Sequence, residues 1–101
     1  MWAQLIKMQL KPGKDTVLMD EQLRAAEQPG SGLVREMFMH DQKDPDQAYI
    51  LAVFESEEKA RARERDPRRQ EGLQAMQATM ADILAGPPEF TDLTIDDEWT
   101  G

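Results

Sequence analysis

The chain has 101 residues, a formal net charge of -8 and no cysteine, with 40% hydrophobic and 32% charged residues. A chain of this length builds one modest core, burying roughly 60–70% of the surface its unfolded form exposes, and its apolar residues sit in short runs, which argues against disorder. The acidic balance, with no basic stripe interleaved with aromatics, excludes nucleic acid and anionic membrane surfaces as partners, and the lack of cysteine removes disulfides, thiolate metal sites and cysteine nucleophiles together.

The first ten residues, MWAQLIKMQL, are interrupted by Gln4, Lys7 and Gln9. They are too polar for a secretion signal and too short to span a bilayer, so a cytoplasmic location is expected. Trp2, Ile6, Met8 and Leu10 alternate with Ala3 and Leu5, predicting a strand over residues 2 to 10 that stops at the turn Lys11-Pro12-Gly13-Lys14. From Asp15 the spacing changes to three and four, through Thr16, Met19, Leu23 and Ala26. That is a helix with Asp15 or Thr16 as cap, ending near Glu27 ahead of Pro29-Gly30-Ser31-Gly32.

Residues 33 to 40 (LVREMFMH) set Val34 and Phe38 against Leu33, Met37 and Met39, and residues 48 to 54 (AYILAVF) follow a turn-rich stretch. These read as a hairpin of strands two and three, with strand three apolar on both faces and therefore central in its sheet. Ser56 is the N-cap of a short, very polar helix with Glu57 and Glu58 in its first turn and Arg61 four residues beyond Glu57. Asp66-Pro67 breaks or restarts it, and Leu73, Met76, Met80, Ile83 and Leu84 continue as a helical stripe to Gly86-Pro87-Pro88. Phe90, Leu93 and Ile95 supply a last strand before an acidic tail.

The order β-α-β-β-α-β over residues 1 to 101 predicts a single α+β domain of the ferredoxin-like kind, a four-stranded antiparallel sheet backed by two helices on one face. The other face, with its share of Trp2, Ile6, Ile50 or Leu51, and Leu93 or Ile95, is expected to be open. A second copy of the chain is the simplest cover, which makes a homodimer the expected state.

The stretches Lys11-Pro12-Gly13-Lys14, Glu27 to Leu33, Val53 to Glu58, Asp66-Pro67 and Leu84 to Glu89 stand in an order and spacing that resembles the antibiotic biosynthesis monooxygenase family over nearly the whole chain. The resemblance implies a dimeric α/β-barrel in which two sheets pack face to face. It also implies oxidation of a small aromatic, quinol or quinone-type molecule without any cofactor. Where that family often carries Trp this chain has Phe54, and Ala60, Arg63 and Arg68 replace an aromatic residue and histidines. The haem-degrading branch uses an Asn and a helical His, and this sequence has no Asn and no His beyond His40. Haem degradation is therefore not expected.

Tyr49 and His40 are the candidate catalytic residues, one offering a hydroxyl to a phenolic substrate and the other a proton relay with an ordinary pKa near 6.5. Trp2, Phe54 and Trp99 are the candidate substrate-binding residues, as flat apolar walls for a planar ring. The methionines Met37, Met39, Met76 and Met80 read as core filling. The basic cluster Lys59, Arg61, Arg63, Arg65, Arg68 and Arg69, nearly balanced by acidic neighbours, reads as a solvated helix face. Asp96-Asp97-Glu98 has no histidine nearby and reads as a solubilising tail, so no metal site is expected. Two other readings compete. One is a non-catalytic ligand-binding or structural dimer on the same fold. The other is an RNA-recognition module, disfavoured because AYILAVF contains no Lys, Arg or Gly.

Overall fold

In the computed structural model of residues 1–101, the first alternating run forms strand β1 (Trp2–Gln9). Helix α1 (Val17–Ala26), the hairpin of β2 (Leu33–His40) and β3 (Gln47–Phe54), helices α2 (Glu57–Glu64) and α3 (Gln70–Ile83) and strand β4 (Glu89–Thr94) follow. A 3-10 turn, Pro67–Arg69, separates α2 from α3. Pro67 has no N–H to continue a helix and holds the residue before it in extended backbone, so α2 stops there. Asp66, at φ -63° and ψ 118°, then caps the new turn by accepting the Arg68 N–H at 2.9 Å. Ser56 caps α2 by accepting from the Lys59 N–H at 3.2 Å. At α1 the carboxylate of Asp15, not the hydroxyl of Thr16, takes the free amide of Val17, at 3.0 Å.

The four strands form one antiparallel sheet in the order β2-β3-β1-β4. With helices covering one side of it, this is the expected α+β ferredoxin-like architecture, and β3 is central as its two apolar faces require. Register then decides which side chains share a face. Trp2 pairs with Phe54 and Thr94, Gln4 with Ala52 and Asp92, and Ile6 with Ile50 and Phe90.

Trp2 and Ile6, which the sequence pattern assigns to the uncovered face, do not lie there. Instead the helices pack over Trp2, Ile6, Met8 and Ile50, and the open face carries Leu5, Leu51, Met37, Met39 and Leu93. A period of two says which residues lie together and is silent on which side the helices take. The grouping within β2 also differs from the expected alternation. Leu33 stands opposite Phe54 and Arg35 opposite Val53, so Val34 is bulged out and Leu33 joins Glu36 and Phe38 on the helix side.

The core has two lobes. Met8, Leu10, Met19, Ala48, Ile50, Ile83 and Leu84 form one, and Trp2, Ala52, Phe54 and Ala60 the other. Helices α1 and α3 approach closely where Gly72 faces Ala26. A Cβ placed on Gly72 would stand 2.8 Å from the Cβ of Ala26, too near for any other residue without a shift of the helices. Beyond β4 the tail passes the start of β1, with the Ile95 N–H donating to the Met1 carbonyl at 3.3 Å. It reaches the far edge strand, where Glu98 lies 3.9 Å from Arg35. No helix is long and apolar enough to cross a membrane.

Candidate functional site

Between the sheet and the helices lies a partly open cavity of about 260 Å³. Trp2 at the start of β1 and Phe54 at the end of β3 form its aromatic wall, with ring centroids 5.9 Å apart and planes tilted by 48°. The cross-strand pairing of these two residues is what brings them together. Each ring also carries an arginine on its face: the guanidinium carbon of Arg61 stands 5.1 Å from the Trp2 centroid and that of Arg63 5.3 Å from Phe54. Leu73, Met76 and Met80 of α3 supply an adaptable apolar side, and Phe90 stands half out of the protein beside the cavity.

The polar part of the cavity belongs to a half-buried charge cluster. Arg63, from α2, donates from Nε and Nη2 to the two carboxylate oxygens of Glu27, at 3.3 and 3.1 Å, and its Nη2 is 3.9 Å from Glu36 Oε2. Arg69 is only 2% exposed and donates from Nη1 to the Arg63 carbonyl at 3.1 Å. Its Nε and Nη2 are buried with no hydrogen-bond partner.

Burial pulls the Arg69 guanidinium down from its ordinary value, and arginine stays charged in proteins all the same. Burial would raise Glu27, but the hydrogen bonds from Arg63 and from the Gln28 amide outweigh it and hold that carboxyl below its ordinary value. Glu36 shows the opposite balance. Burial pushes its carboxyl above the ordinary 4.5, and the opposing charge of Arg63 does not cancel the effect.

That raised carboxyl has a consequence for stability. The folded state holds the Glu36 proton more tightly than the unfolded chain does, so the favourable contribution is complete below about pH 4.5 and is lost as pH rises through the folded value. Glu36→Gln mimics the protonated form. It should raise the melting temperature at pH 7 by a few degrees, and the difference from the parent should close on acidification below pH 4.5. Scanning calorimetry at both pH values measures this, and equal melting at pH 7 would mean that the charged form of Glu36 is well solvated.

Of the residues singled out in the sequence, Trp2 and Phe54 meet in the cavity wall. Tyr49 does not. It pairs with Lys7 and Met39 on the open face of the sheet, half-buried. His40, at the end of β2, is exposed beside a separate shallow depression with Gly13, Lys14 and Pro45. Trp99 lies on the tail, 84% exposed. The basic helix read as a solvated face is divided: Arg65 and Arg68 are exposed, whereas Arg63 and Arg69 turn inward. Glu36, not singled out in the sequence, shares a face with Phe38 by simple alternation, and that face is the one the helices cover. No three His, Cys, Asp or Glu residues come together in a way that could hold a metal ion.

The geometry described above is that of the antibiotic biosynthesis monooxygenase fold. A Nitrosomonas europaea structure named for the antibiotic biosynthesis monooxygenases superimposes with a TM-score of 0.71 at 18% identity, over 96% of this chain and 100% of its own. Rv0793 from Mycobacterium tuberculosis does so with a TM-score of 0.74 at 15% identity, over 98% of each chain. SnoaB, a cofactor-independent oxygenase from Streptomyces nogalater, gives 0.70 at 12% identity, over 96% of this chain and 94% of its own. No family model and no curated protein matches the sequence. The likeness is one of fold.

Proposed function

We propose that the chain is a cytoplasmic homodimeric monooxygenase that oxidises a small aromatic or quinol-type molecule held between sheet and helices, with no metal or flavin of its own. The observation that carries this reading is the partly open cavity walled by Trp2 and Phe54 with a largely buried carboxylate, Glu36, in its lining. The fold shared with a cofactor-independent oxygenase supports it. In this chemistry an acidic CH₂ carbon of the substrate loses a proton and the carbanion reacts with oxygen directly. Both C–H bonds are replaced by a C=O bond, the second oxygen atom leaves as water, and the substrate supplies all four electrons. The protein has to desolvate, orient and accept a proton.

Glu36 takes the role of proton acceptor in this reading, since burial gives it a basicity above that of an ordinary carboxylate. Trp2 and Phe54 hold the ring. Tyr49 belongs to the open side of the sheet, where a partner subunit would cover it, Trp99 stands exposed on the tail, and His40 has no part in the cavity. A non-catalytic binding module is the second reading, favoured by the absence of any His, Ser or Tyr from the cavity lining.

Oxygen uptake with a panel of anthrones, which carry the acidic CH₂ carbon, separates the two. Consumption of one oxygen per CH₂ oxidised, lowered by roughly 10²-fold or more in Glu36→Gln, is the expected result. Binding of panel members with no uptake above the buffer rate would leave the non-catalytic module.

A further inference from the structure

Arg63, Arg68 and Arg69 lie about the α2–α3 junction, beside the exposed Arg65, and two of these three are matched. Arg63 gives Nε and Nη2 to Glu27, and Arg68 gives the same two nitrogens to Asp66, at 3.1 and 2.7 Å. Arg69, the most deeply buried of the three, has the same edge empty: Nε and Nη2 are shielded from water and donate to nothing. Those two nitrogens form the side-on fork of the guanidinium, whose parallel N–H bonds fit two oxygens of one planar anion. Leaving such donors dry and unpaired is costly, and the cost is larger for a charged group. The neighbouring carboxylates do not fill the fork. Glu27 and Asp66 are held by their own arginines, and Glu36 has Arg63 as its nearest cation, at 3.9 Å.

Arg69 lines the same cavity as Trp2 and Phe54. We propose that its free fork is the seat of a planar two-oxygen anion carried by the ligand, a carboxylate or a deprotonated hydroxy-ketone on the edge of an aromatic ring. The inference rests on reading this cavity as the site of a small aromatic molecule, and it narrows that class to ring systems with an acidic edge. The anion satisfies both orphan donors while the ring lies along the aromatic wall, and a neutral ring gains only the second of these contacts.

Titration calorimetry with 2-naphthoate and its neutral counterpart 2-naphthamide at pH 7 tests the seat. The acid should bind at least about tenfold more tightly than the amide. Arg69→Lys keeps the charge and removes the fork, and should weaken the acid by roughly tenfold or more while leaving the amide unchanged. Arg69→Met removes both and places an apolar chain of similar length in the slot, so it should stay folded, as its melting curve will show, and bind acid and amide alike.

Equal binding of the two ligands by the parent protein, acid binding untouched by either substitution, or no binding of either ligand would each overturn the seat. The oxygenase reading stands or falls separately. Oxygen uptake on neutral anthrones that 2-naphthoate fails to inhibit would remove the seat and keep the oxygenase. Arg69-dependent binding of 2-naphthoate without uptake on any substrate would do the reverse.

Discussion

Met8→Asp should abolish folding. Met8 is 1% exposed on a central strand and packs among Leu10, Met19, Ala48, Ile50, Ile83 and Leu84, a cluster with no cation in it. Truncating a buried methionine costs about 2–5 kcal/mol, and an unpaired carboxylate in an apolar site costs several more. A domain of this size has only about 5–15 kcal/mol of stability to lose. Met8→Leu, which keeps volume and polarity, should cost less than about 1.5 kcal/mol. Circular dichroism should show a cooperative melt for the leucine variant and none for the aspartate variant. An aspartate variant melting within a few degrees of the parent would mean that the helices do not cover this end of the sheet.

How far the sequence discloses the molecule depends on whether a signal is local. The strands, the helices and the break at Asp66-Pro67 are written in periodicity and in residues with fixed backbone demands, and they fall where the sequence predicts. The central position of β3 follows from AYILAVF alone, because a strand apolar on both sides has no wet face. The sidedness of the sheet is not local. Trp2 and Ile6 alternate against Ala3 and Leu5 in a pattern that fits helices on either side, and only the packed chain chooses.

The site is less legible than the fold for the same reason. Trp2 and Phe54 meet in the cavity wall because the β1–β3 register pairs them at the strand ends. Arg63 and Arg69 look like any other members of a charged helix. Their placement is set by the local turn at Pro67–Arg69 and by two contacts between segments far apart in sequence, of Arg63 with Glu27 at the end of α1 and with Glu36 on β2. Tyr49 drew interest as a lone hydroxyl in an apolar strand, but odd and even positions of β3 face opposite ways and Tyr49 shares a face with Leu51 and Val53. Opposite charges buried together also explain why the net charge of -8 said nothing about this site: the cluster of Arg63, Arg69, Glu27 and Glu36 is nearly neutral within itself.

Leu51→Asp should turn the proposed dimer into a monomer without unfolding it. Leu51 lies at the middle of the open face, between Leu5 on β1 and Met37 on β2, with Met39, Tyr49 and Leu93 around it, and it is only half-buried in the single chain. An apolar sheet face of this kind is ordinarily covered, and a stable pairing removes about 800 Å² from each partner. A carboxylate at its centre would be buried twice in a symmetric interface, once from each subunit, so the substitution acts doubly against association. In the separated chain the same carboxylate stays wet and its effect on folding is small. Light scattering coupled to size exclusion should give the parent twice the 11.5 kDa mass of one chain and the variant a single chain. The melting temperature of the parent should rise with protein concentration and that of the variant should not, because only the parent gains stability from association. A parent protein that elutes as one chain at micromolar concentration would refute the dimer and leave the open face to some other partner.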